Sequence, residues 1–128
     1  MMGGQIRALT APVDHGCVFL RDVESKETHE DWDPSVSRVS AGVDSVLFAV
    51  LPSVEGDVEF EIWRGEPTAP LPLVMYKGSI RLVHGVIVLH DADDGFKLEI
   101  LGLGHGGPLS ILVDDVSFPA MVQIVLLF

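Results

Sequence analysis

The sequence predicts an all-β fold, an antiparallel β-sandwich of about eight strands with one short helix. Three observations point to it. Val58, Phe60 and Ile62 alternate with Glu59, Glu61 and Trp63, the period-two signature of a sheet with one buried and one wet face. Short runs of branched apolar residues at 17–20, 46–51 and 86–89 have the length and composition of strands covered on both faces. Turn residues separate such runs at short intervals, as in Glu55-Gly56-Asp57, His84-Gly85, Asp93-Asp94-Gly95 and the glycine-rich stretch 102–108.

Taken in order, the first strand is Cys17-Val18-Phe19-Leu20. Residues 22–33 follow with six acids and one lysine and read as an exposed loop. The helix is expected over about 34–41: Asp33 supplies an N-cap acceptor, Pro34 suits the first helical position, Val36, Val39 and Val43 form a short apolar stripe, and Gly42 closes the last turn. It would brace a sheet. Residues 46–51 and 58–63 are strands. Residues 65–72 contain three prolines and cannot be a central strand. The remaining strands are 73–76, 79–83, 86–89, 96–101, 109–113 and 121–127. No internal repeat or linker divides the chain, so residues 1–128 are expected to form one domain.

With 48% hydrophobic and 21% charged residues, a packed core is available and disorder is excluded. Cys17 is the single cysteine, which leaves no intramolecular disulfide. The start, Met1-Met2-Gly3-Gly4-Gln5, lacks the basic and apolar regions of a secretion signal, and the apolar run 121–128 is too short to cross a bilayer. A cytoplasmic protein without membrane contact is expected. Nineteen acids against eight lysines and arginines give a formal charge of −11. Such a surface repels nucleic acid and favours basic partners; the same charge also keeps a hydrophobic small protein in solution.

The motifs that suggest catalysis or cofactors do not hold together. Gly102, Gly104 and Gly107 spell GxGxxG, but Pro108 and an apolar strand follow where a phosphate-binding helix is required. Asp91, Asp93 and Asp94 beside His90 resemble the start of a calcium loop, yet Gly95 stands at a ligand position and no distal glutamate follows; a hairpin tip is the preferred reading. His15, His29, His84, His90 and His105 form no zinc spacing. Cys17 opens an apolar strand and reads as an inert buried thiol. No catalytic residue, metal site or cofactor is expected, and the chain reads as a binding protein rather than an enzyme.

Two acid clusters remain. The first is Asp22, Glu24, Glu27, Glu30, Asp31 and Asp33; the second is Glu55, Asp57, Glu59, Glu61 and Glu66. Glutamates on the wet face of one strand stand about 6.8 Å apart, near the spacing of phosphates along a nucleic acid. A solvated sheet face explains the same pattern without any partner. Trp63 continues that face and, if exposed, would anchor an interface. Trp32 sits at the helix entrance as a hydrophobic staple. The partner-binding candidates are therefore Glu55, Asp57, Glu59, Glu61, Trp63 and Glu66, with Glu27, Glu30 and Asp31 from the loop.

The order of features has a family likeness. The strand Val18-Phe19-Leu20, a polar loop ending in Asp31-Trp32-Asp33, a short helix, a glycine and the apolar strand 46–50 together resemble the competence protein J (ComJ) family, small acidic proteins that inhibit a DNA-entry nuclease by binding it. The likeness covers the first half of the chain and carries over no site residue. It implies a basic protein partner, a nuclease, whose groove would be occluded by carboxylates. Two other readings stand beside it: a sandwich binding a ligand or metal through His90, Asp91 and Asp93, and a structural protein, a homodimer, in which 121–128 forms a buried or dimer-forming strand.

Overall fold

Among the described residues ten strands form, most of them where apolar runs alternate with glycine- and aspartate-rich turns. The computed structural model describes residues 3–92 and 95–128. The strands are β1 Gly4–Ala11, β2 Cys17–Asp22, β3 Val39–Ala41, β4 Ser45–Ala49, β5 Val58–Arg64, β6 Leu73–Arg81, β7 Ile87–Asp91, β8 Lys97–Ile100, β9 Gly106–Val113 and β10 Met121–Leu126. They build two five-stranded sheets, ordered β1-β5-β10-β9-β6 and β3-β4-β2-β7-β8. Every pairing is antiparallel except β5 with β10, so the first sheet is mixed.

The inward residues of both sheets make one hydrophobic cluster. Leu20, Val46, Phe48, Ile87 and Leu89 come from the second sheet; Phe60, Ile62, Leu109, Ile111, Ile124 and Leu126 come from the first. Burying one such side chain fully is worth about 2 kcal/mol. The all-β expectation is met. The strand count rises to ten because β1, whose residues are mostly polar or small, and the three-residue β3 lack an apolar run. The stretches 73–76 and 79–83 prove to be mainly one strand, β6, with a bulge between Val74 and Tyr76. β10, considered above as a dimer-forming strand, lies between β5 and β9 with both edges paired.

The expected helix over 34–41 does not form. Its cap does: Asp33 Oδ1 accepts from Ser35 N at 2.9 Å and Ser35 Oγ at 2.6 Å, and the Val36 and Ser37 amides both donate to the Asp33 carbonyl at 3.0 Å. One turn is all that follows. Valine and serine dominate residues 35–43 and are poor at sustaining a helix this short, whereas Val39–Ala41 gain ladder bonds by pairing with β4. Val36 and Val43 stay exposed, and Val39 packs on the core. The glycine stretch 102–107 leads straight into β9, as the turn reading expects.

Candidate functional site

The loop between β2 and β3 folds back over the outer face of the second sheet, and it is held there from beneath by polar anchors. Asp22, assigned above to the exposed loop, is buried at the end of β2; its carboxylate accepts from Val83 N at 3.2 Å and Glu24 N at 3.3 Å. Glu27 reaches across to the turn before β4. Its Oε2 accepts from Val43 N at 3.1 Å, and its Oε1 accepts from Asp44 N at 3.0 Å and from Ser45 Oγ at 2.9 Å. Partial burial pushes the Glu27 carboxyl up, but these donors and the Asp44 side chain more than offset it and bring its pKa down to about 2. Asp44 moves the other way: the Ser25 hydroxyl at 2.7 Å favours its charge, but burial and the neighbouring Glu27 raise its pKa.

His29 is the second anchor. Its backbone turns through the left-handed region at φ 55°, and its ring lies between two outward-facing hydroxyls, Nδ1 2.8 Å from Ser40 Oγ and Nε2 2.5 Å from Ser45 Oγ. The His29 carbonyl then accepts the Trp32 amide at 3.1 Å, and Trp32 Nε1 donates to Ser37 O at 2.8 Å. These contacts tie residues 28–33 to the turn at 34–37 and leave an open cleft of about 640 Å³ between them. Its lining holds Glu30, Asp31, Asp33, half-buried Trp32, His29, Val39 and Ser40, and among the described residues no lysine or arginine. The Ser35 hydroxyl and amide hold the Asp33 carboxyl below its usual range.

The candidates from the sequence are divided among three places. Glu30 and Asp31 face this cleft, and Glu27 lies beneath it as an anchor. Glu55 ends the 3₁₀ turn Ser53–Glu55 beside a second hollow, and exposed Asp57 follows just before β5. Glu59, Glu61 and Trp63 belong to the outer face of the first sheet, which is not a free carboxylate ladder, and Glu66 follows β5 at the start of the segment that crosses it. Residues 66–72 cross it as a strap: Gln123 of β10 donates through Nε2 to Glu61 Oε1 at 3.0 Å and Ala69 O at 3.1 Å, and its Oε1 accepts Leu71 N at 2.8 Å. Trp63 is 8% exposed and donates to Glu61 Oε1 at 2.9 Å. Trp63 is therefore a covered residue rather than an exposed anchor, and the Glu61 carboxylate is already occupied. Glu59 and Glu66 remain exposed. Alternation identified the face correctly but carries no information about a proline-rich loop lying across it.

The other chemistry-bearing residues are absorbed structurally. Burial raises the Cys17 thiol, with nearby Arg38 opposing. The Asp91 carboxylate accepts Gly95 N at 2.5 Å and Phe96 N at 3.4 Å, and the His90 ring stacks on Phe19 at 4.9 Å. Asp93 and Asp94, the rest of the calcium-loop reading, lie outside the described residues. Among the described residues no group of three or more histidines, cysteines or carboxylates is placed to hold a metal ion, and no helix is long and apolar enough to cross a membrane. The sequence offers His29 only for weighing as a zinc ligand and does not single out Ser40, because nothing in a lone histidine and a serine eleven residues apart signals that a loop folds back between them.

Among solved structures, the chain is similar to ComJ of Bacillus subtilis, an inhibitor of the DNA-degrading activity of NucA, with a TM-score of 0.66, 9% identity, and 99% of this chain matched to 100% of that one. It is also similar to the protein described as crocagin biosynthetic gene J, with a TM-score of 0.53, 14% identity and 96% of each chain covered. Both are likenesses of fold, and they span almost the whole chain. No family model matches the sequence, and no curated protein matches it.

Proposed function

We propose that this protein is an acidic binding module that inhibits a basic, DNA-degrading nuclease by occupying the groove meant for phosphate. The observation that carries the reading is the cleft of residues 28–40: three carboxylates and a tryptophan converge on a concavity that presents no lysine or arginine, on a loop fixed in place by Glu27 and His29. Carboxylates held in a fixed arrangement compete for a cationic groove without the entropy cost of ordering a flexible loop at contact. An overall charge of −11 accelerates the encounter with a cationic partner and repels the partner's own substrate. The fold likeness to ComJ, which inhibits a nuclease, points the same way. The protein acts by binding, and its partner is a protein rather than nucleic acid.

Glu30 and Asp31 make the first contacts, with exposed Glu55, Asp57, Glu59 and Glu66 extending the negative field. Glu27, Glu61 and Trp63 support this surface from within. The test is the cleavage of labelled duplex DNA by a panel of basic nucleases, NucA of Bacillus subtilis among them, with and without the protein. Saturable, stoichiometric inhibition of a panel member that weakens as salt rises supports the proposal. No inhibition of any member, or inhibition indifferent to salt, overturns it.

A further inference from the structure

Phe118 stands at one end of the sandwich with 58% of its surface exposed, on a loop that is otherwise tightly held. Asp115 Oδ1 accepts from Ser117 N at 2.8 Å and Phe118 N at 3.1 Å, and Asp114 Oδ1 accepts from Ala120 N at 3.0 Å and Met121 N at 3.1 Å. The Pro119 carbonyl receives Leu51 N at 2.9 Å. Arg38 closes the arrangement: its guanidinium donates to Ser117 O and Pro34 O and lies 5.6 Å from the centre of the Phe118 ring. A large aromatic side chain is thus presented to solvent by a loop held in place by its own two aspartates.

The ring divides two hollows. One, of about 330 Å³, is lined by Leu51, Pro52, Glu55 and Phe118. The other, of about 160 Å³, includes Cys17, Pro34, Arg38, Pro52 and Phe118. Val54, 87% exposed, stands next to Glu55, and Val36, 83% exposed, stands on the turn that also borders the acid cleft. Glu55 lies in the lining of the first hollow and Arg38 in that of the second, while Asp115 holds the Phe118 amide and Asp33 precedes Pro34 in the chain.

We infer that this end of the sandwich is the apolar centre of the partner interface, and that the partner is a basic protein whose aliphatic side chain enters the hollow between Phe118 and Leu51–Pro52 while flanking lysines or arginines meet Glu55. The inference rests on the proposed basic partner and adds the place and kind of contact. Charge decides the occupant. A second copy would bring together two chains that each carry −11, whereas a cationic segment gains from that overall charge and from Glu55 on the rim. An aromatic anchor in a hollow, enclosed by polar residues, is the arrangement in which a few side chains carry most of the binding energy.

The test uses a short peptide alternating lysine and leucine, its lysine–serine counterpart, and amide NMR of the full chain. The lysine–leucine peptide is expected to shift Leu51, Glu55, Ser117 and Phe118 and to bind roughly tenfold more tightly than the lysine–serine peptide. Phe118→Ser should weaken it by about tenfold with an otherwise unchanged spectrum, and Phe118→Trp should restore it. Shifts elsewhere, equal binding to Phe118→Ser, or Phe118-dependent self-association in sedimentation without peptide would overturn the inference. The nuclease assay separates it from the functional proposal. If Phe118→Ser inhibits as well as wild type, this surface falls and nuclease inhibition stands; if no nuclease is inhibited yet the peptide maps here, inhibition falls and the surface stands.

Discussion

The Glu27 carboxylate fills the space in which Gly42 would carry a side chain: a Cβ at position 42 would overlap both carboxylate oxygens. Glycine at 42 is thus required by the loop anchor fifteen positions earlier, and not as the cap of a helix. Gly42→Ala should displace Glu27 and deprive the amides of Val43 and Asp44 of their acceptor, as should Glu27→Ala. Each substitution is expected to cost roughly 2 kcal/mol in urea denaturation, the range for lost hydrogen bonds to a charged group. A change within about 0.5 kcal/mol, the scatter of ordinary surface substitutions, would contradict the anchoring role.

Acidity tests the same anchor with a definite sign. Glu27 has its pKa lowered from the ordinary 4.5 to about 2, so the folded form binds its proton less tightly than the unfolded chain. Its contribution is fully present above about 4.5 and is lost as the pH falls toward 2. Asp44 is raised, so its share runs in the opposite direction. The stability difference between wild type and Glu27→Gln should therefore be constant near neutrality and shrink through that acid window. A difference that stays level across the window would refute the assignment.

Trp63 is covered, and its substitution should behave accordingly. Trp63→Ala is expected to cost about 3 kcal/mol, as for other large aromatic residues removed from a packed site. Gln123→Leu should also destabilise the fold, because it leaves the Leu71 amide and Ala69 carbonyl without their partner. An effect of Trp63→Ala below about 0.5 kcal/mol would contradict its place in a packed site.

The core was legible in the sequence and the covering loops were not. Period-two alternation at 58–62 reports which side chains face inward, and the apolar runs at 17–20, 46–51 and 86–89 report where strands form, because both depend on local pattern. Whether an outward face stays wet depends on chain far away: the strap 66–72 bonds to Gln123 beside Glu61, and Glu27 and His29 of the loop bond to Ser45 and Ser40. The Asp33-Pro34 signal formed its capped turn, yet pairing of Val39–Ala41 with β4 overrode the helix that the valine spacing suggested. Glu30 and Asp31 were named from charge alone, and the structure places them on a common cleft with Trp32. Phe118 was passed over, since one aromatic between serine and proline has no period to betray its exposure.

The most direct test of the central claim is the affinity for the inhibited nuclease, measured for wild type and for Glu30→Lys with Asp31→Lys at about 50 mM and about 500 mM salt, between which charge screening changes strongly. Both positions are exposed on the cleft loop, so the variant should keep the wild-type melting temperature within a few degrees. Binding by wild type should weaken by at least about tenfold at the higher salt, and the variant should bind at least about tenfold more weakly at the lower salt. Equal affinity of the two proteins at low salt would show that the acid cleft is not where the partner binds.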